Sequence, residues 1–97
     1  MRDLETSIVQ GGVHLLDSHA ERLAASGMTW HGPEVEVWRS EAERYTSELR
    51  ITFLKGGEIC DVLEFQIYDK GQALVTTEEA MNWLTEQLEV MDRSDNQ

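Results

Sequence analysis

The chain has 97 residues, enough for one domain and little room for a second core. Eight basic residues stand against nineteen acids, a formal charge of −11, and that balance argues against direct binding to nucleic acid or to anionic membranes, where affinity comes from neutralising phosphates with Lys and Arg. The 40% hydrophobic content supports a folded chain, yet its longest apolar runs are only two or three residues, such as Ala73-Leu74-Val75, far from the ~20 residues that span a bilayer.

The N-terminal residues Met1-Arg2-Asp3-Leu4-Glu5 carry two acids where a signal peptide would be basic and then apolar. The one cysteine, Cys60, has no partner for an internal disulfide. Both features make the expected location cytoplasmic.

In chain order, Asp3 to Ser26 reads as a helix with Val9, Val13, Leu16, Ala20, Leu23 and Ala24 on its apolar face. Gly11-Gly12 is its weak point, at ~1 kcal/mol per glycine relative to alanine, so a kink or a start at Val13 is expected there. Gly27 is a C-terminal stop. Met28 to Pro33 reads as a loop, followed by a short strand around Val35 and Val37.

Two longer strands follow. Tyr45 to Lys55 places Leu49, Ile51 and Phe53 on one face, and Ile59 to Tyr68 places Leu63, Phe65 and Ile67 on one face. Gly56-Gly57 between them signals a hairpin. A plain two-residue loop would pair Phe53 with Cys60 and turn the two apolar faces in opposite directions. One extra residue, as a three-residue Gly56-Gly57-Glu58 loop or an equivalent bulge, pairs Phe53 with Asp61, Ile51 with Leu63 and Leu49 with Phe65, and merges the faces. The same register sets Arg50 opposite Glu64.

A second turn at Asp69-Lys70-Gly71 returns a strand from Gln72 to Val75, with Ala73 opposite Ile67 and Tyr68 on the open face. Thr76 and Glu79 form a capping box for a closing helix whose apolar stripe is Ala80, Met81, Leu84, Leu88 and Met91. The expected fold is α+β: helix, antiparallel meander of three or four strands, helix, in a two-layer α/β sandwich with both helices on one sheet face. Residues 1–92 form a single domain and 93–97 a polar tail.

Chemistry is sparse. Phosphate-binding glycine patterns, zinc-protease motifs, nucleophile elbows and paired Cys-x-x-Cys are absent. His14, Asp17 and Glu21 share a helix face at metal-ligand spacing, but a solvated face explains them. Asp17-Ser18-His19 has the residue types of a triad, pointed apart by adjacency in a helix. Cys60 lacks a nearby base to lower its pKa. No catalytic residue, metal or cofactor is assigned.

What remains is surface. Leu54, Val62, Tyr68 and Leu74 on the open sheet face make a candidate homodimer interface. Glu86, Glu89 and Asp92, late in the closing helix, oppose the helix dipole and make a candidate site for a basic partner protein. In overall plan, with no shared motif, the chain resembles the small acidic proteins of phages and mobile gene cassettes, which include inhibitors and immunity proteins of basic targets. That resemblance transfers no site. The leading expectation is a non-enzymatic protein-interaction module. The alternative is a small-ligand-binding protein or enzyme with a pocket between the helices and the sheet, near Trp30, His31 or Trp83.

Overall fold

A computed structural model describes residues 3–39 and 45–94, the last three of these by backbone only. The elements are α1 (Asp3–Ala25), β1 (Met28–Arg39), β2 (Tyr45–Lys55), β3 (Glu58–Asp69), β4 (Gln72–Ala73) and α2 (Thr77–Ser94). The strands form one antiparallel meander in the order β1-β2-β3-β4. Both helices pack on one face of it, so the fold is the expected two-layer α+β arrangement. Arg93 and Ser94, expected in a polar tail, are helical, and Asp95 to Gln97 lie outside the described residues.

The core lies between the layers. Leu49, Ile51 and Phe53 of β2 and Leu63 and Ile67 of β3 meet Ile8, Leu16 and Leu23 of α1 and Ala80, Leu84 and Leu88 of α2, all buried. Phe65 is half-buried at the margin, with its ring edge-on to Trp83 at 5.5 Å. Alternation along β2 and β3 produces this single apolar face, because side chains of a strand alternate sides.

The β2–β3 register pairs Phe53 with Asp61, Ile51 with Leu63 and Leu49 with Phe65, as expected. The connection takes the bulge form. Gly56 and Gly57 make a two-residue turn with φ of 60° and 84°, the sign a type I′ turn requires. Lys55 then faces Glu58 and Leu54 faces Ile59, leaving Cys60 as the extra residue.

Other parts differ from expectation. A second bulge places Glu48 opposite Gln66 and Ser47 opposite Tyr68, with Ile67 between. Tyr68 is thereby turned from the open face to the core side, where it packs on the buried cluster. The β3–β4 turn is also one residue tighter, so Ala73 faces Tyr68 rather than Ile67, and β4 ends at Ala73 instead of reaching Val75. This turn is tied to β2 by the Gly71 N–H on the Tyr45 carbonyl (2.7 Å) and the Lys70 N–H on Thr46 Oγ1 (3.3 Å).

Met28 to Pro33, expected as a loop, belongs to β1. Gly32 and Pro33 together oppose Ile51 in a bulge between His31 and Glu34. Proline fits there because β1 is an edge strand and a bulge needs no ladder N–H.

Helix α1 runs unbroken through Gly11-Gly12. A Cβ on Gly11 would strike the Met81 thioether of α2, and one on Gly12 would lie 2.9 Å from Pro33 Cγ and 3.9 Å from Leu84 Cδ1. The glycines are the contact point of α1 with both neighbours, and the propensity they lose is offset by packing. Its buried face is accordingly Glu5, Ile8, Gly12, Leu16 and Leu23, while Val13 and Ala24 are exposed.

The two glycines should respond differently to substitution. Each Gly→Ala gains about 1 kcal/mol of helix propensity. At Gly11 the obstructing atom ends a flexible side chain, so Gly11→Ala should be neutral or stabilising. At Gly12 the obstruction is a proline ring held in a strand, and overpacking of about 1–3 kcal/mol should make Gly12→Ala a net loss. Urea denaturation checks this; equal effects at both sites would disprove the tight α1–β1 approach.

Candidate functional site

The open sheet face is built around Arg50. Directly across the ladders stand Glu34 on β1 and Glu64 on β3. The guanidinium donates from Nη2 to Glu48 Oε1 at 2.9 Å and from Nε to Glu64 Oε2 at 3.2 Å, with Glu36 Oε2 at 3.5 Å. The hydrogen bond to Glu64, then the charge of Glu36, raises the arginine pKa above its ordinary value, and the guanidinium, charged at any ordinary pH, bridges the carboxylates. Four acids around one base leave this region net negative.

The candidate dimer residues divide around that ring. Leu54 is half-buried and faces Ile59 across the ladder, and Val62 faces Thr52. Ile59 (66% exposed) and Val62 (38%) make this end of the face apolar. Leu74 is exposed near the opposite end, held by its N–H on the Ile67 carbonyl at 2.8 Å. Tyr68 is not among them, for the bulge reason given above.

The second surface joins β3 to α2. Thr76 and Glu79 form the capping box: Thr76 N–H donates to Glu79 Oε1 (2.9 Å) and Glu79 N–H to Thr76 Oγ1 (3.0 Å). Glu78 and Glu79 thus sit where the helix dipole favours negative charge. Glu86 and Glu89 are exposed further along; the side chain of Asp92 lies outside the described residues. Beside the helix, Phe65, Val75, Glu79, Ala80 and Trp83 line a groove of about 260 Å³. Between Lys55 and Arg93 the sequence places nine of its nineteen acids and one base, Lys70. β3 and α2 touch through Phe65 and Trp83, with Glu64 on the open face of the sheet and the acids of α2 on the helix side.

The three residues named for the alternative pocket lie at separate places. Trp30 lies on the core side of β1, by a shallow groove with Ala24, Met28 and Thr29 of about 330 Å³. His31, its neighbour in the strand, is exposed on the opposite face. Trp83 lines the separate α2 groove. Both hollows are close to the ~300 Å³ lower end of small-molecule pockets.

On α1, His14, Asp17 and Glu21 are exposed, and among the described residues no group of three or more His, Cys, Asp or Glu is arranged to hold a metal. The Ser18 hydroxyl donates to the His14 carbonyl at 3.0 Å, a helix-internal bond. Cys60 is an exposed free thiol. Among the described residues no helix is long and apolar enough to cross a membrane.

One polar cluster has no counterpart in the sequence reading. Glu5, 1% exposed, accepts the hydrogen bond of the Tyr45 hydroxyl across its two carboxylate oxygens, at 2.8 and 2.7 Å. Tyr45 meets Tyr68 edge-on at 5.5 Å and lies beneath the Arg39 guanidinium at 5.8 Å. On the same face of β2, Ser47 is fully buried and its Oγ has no hydrogen-bond partner. Glu5 shares a helical row with Ile8, Gly12 and Leu16, which was the available signal; the glycine interrupts it.

Comparison with protein-family models, characterised proteins and solved structures finds no match.

Proposed function

We propose that the chain is a non-enzymatic, cytoplasmic interaction module whose acidic β3–α2 side binds a basic partner protein. The observation that supports this reading is the contact of β3 with α2 at Phe65 and Trp83, two elements that between them carry nine acids and one base, Arg93. Such a surface steers a cationic partner and repels polyanions. The exposed thiol of Cys60 agrees with a reducing compartment. The test compares proteins captured from the source cell's lysate by wild type and by Glu86→Gln/Glu89→Gln/Asp92→Asn, at low and moderate salt. The expected result is one defined basic partner, lost in the variant and weakened by salt, with circular dichroism unchanged. Equal capture by both forms would reduce these acids to a solvated face.

The apolar end of the open face supports a second reading, a homodimer. Leu54, Ile59 and Val62 supply the contact, while the glutamate ring around Arg50 opposes stacking two copies in register. Sedimentation should show a dimer that Val62→Glu converts to monomer. A monomeric wild type removes this reading and leaves the first intact.

A further inference from the structure

The groove lined by Phe65, Val75, Ala80 and Trp83 adjoins β3, whose outer edge is largely bare. β4 pairs only with Tyr68 and Asp69, and the Leu74 N–H adds one bond to Ile67. From Glu58 to Gln66 the outer edge of β3 has no strand partner among the described residues; the Val62 N–H donates to the Asp61 side chain at 2.9 Å, a bond that an added strand would replace. Unpaired N–H and C=O groups along an edge are a template for another strand.

Proteins blunt such edges with lysine, proline or a covering element. β3 contains no lysine, arginine or proline, but carries Glu58, Asp61 and Glu64. Those acids repel a second copy of the same edge and attract a cationic strand. The edge is closed to its like and open to its opposite.

We infer that this edge and the adjoining groove receive an extended cationic segment of a partner protein, added as a further strand on β3. The inference rests on the basic-partner reading and specifies its mode. Main-chain hydrogen bonds to β3 supply affinity, and alternate side chains of the added strand supply specificity. Those on the helix side enter the groove, whose walls are Phe65, Val75, Ala80 and Trp83, with room for one large apolar side chain. Those on the other side lie beside Glu64, the open-face acid of β3 whose Oε2 accepts from Arg50 Nε. At the rim, Glu79 has Oε1 committed to the Thr76 N–H while Oε2 can receive a lysine or arginine. The segment is therefore one that alternates basic and apolar residues.

The experiment titrates the full chain with a short peptide alternating lysine with leucine. Controls are the same peptide N-methylated on alternate backbone amides and its glutamate-for-lysine counterpart. The expected result is binding of the lysine peptide, at least about tenfold weaker binding after N-methylation, equivalent to the loss of one net hydrogen bond or more, and no binding of the glutamate peptide. Hydrogen exchange should slow at the outward-facing β3 amides between Ile59 and Phe65. Equal binding of the methylated peptide, with β3 exchange unchanged, overturns strand addition while leaving a basic partner in place. No binding of the lysine peptide at low salt overturns the strand site, and the capture experiment then judges the basic-partner reading separately. A dimer whose β3 amides are protected without any peptide assigns the edge to a second copy and overturns the inference.

Discussion

Replacing Phe53 with alanine is expected to lower the unfolding free energy by about 3–5 kcal/mol. Phe53 is the largest fully buried side chain, in the central strand β2, with Trp30 and Asp61 beside it in the ladders. Its removal leaves a cavity between a sheet and two helices, which cannot both move in to fill it. The loss is a large share of the roughly 5–15 kcal/mol that holds a domain together. Phe65→Ala should cost less, because Phe65 is half-buried and Trp83 can settle into part of its space. Urea or thermal denaturation followed by circular dichroism checks both. Equal losses at the two positions would contradict the placement of Phe53 beneath the helices and Phe65 at their margin.

The β2–β3 hairpin was legible because each strand has one apolar face, and only a register with one extra residue merges them. Parity fixes the number of extra residues but not their position. The chain puts the extra residue at Cys60 rather than in the turn. The bulge at Ile67 has no such signature. It reverses the side on which Tyr68 lies, and a regular alternation therefore misplaces that residue. In β1, Gly32-Pro33 has the composition of a loop, and only pairing with β2 across a bulge makes it strand.

Glycine accounts for the misreading of α1. Gly12 occupies a buried position where a hydrophobic residue would announce the face, so the apparent stripe drifts to Val9 and Val13. The signal lost is the one that close packing requires, since any side chain there would meet Pro33. The candidate interaction surface shows the same division. The acids of β3 and α2 are plain in the sequence. The nearness of the two elements depends on the Phe65–Trp83 contact, and the bare edge of β3 depends on β4 stopping at Ala73. Both are tertiary facts without a local residue pattern.

Glu5 and Tyr45 lie 40 positions apart in the chain, and their interaction supports the second large expected effect. The Glu5 carboxylate is removed from solvent, and among the described residues the Tyr45 hydroxyl is its hydrogen-bond partner. Tyr45→Phe keeps the ring and its edge contact with Tyr68 but withdraws that donor. A hydrogen bond to a charged group contributes about 1.5–3 kcal/mol, and leaving the buried acceptor unsatisfied sets the loss at the upper part of that range. Glu5→Gln retains a carbonyl oxygen of the same shape for the phenol while removing the charge. In that background Tyr45→Phe should cost only about 0.5–1.5 kcal/mol, the value of a neutral hydrogen bond. A double-mutant cycle by urea denaturation at neutral pH measures the difference. If Tyr45→Phe costs the same in the wild-type and Glu5→Gln backgrounds, the phenol and the carboxylate charge are not coupled, and the N-terminal turn of α1 is held to β2 by packing alone.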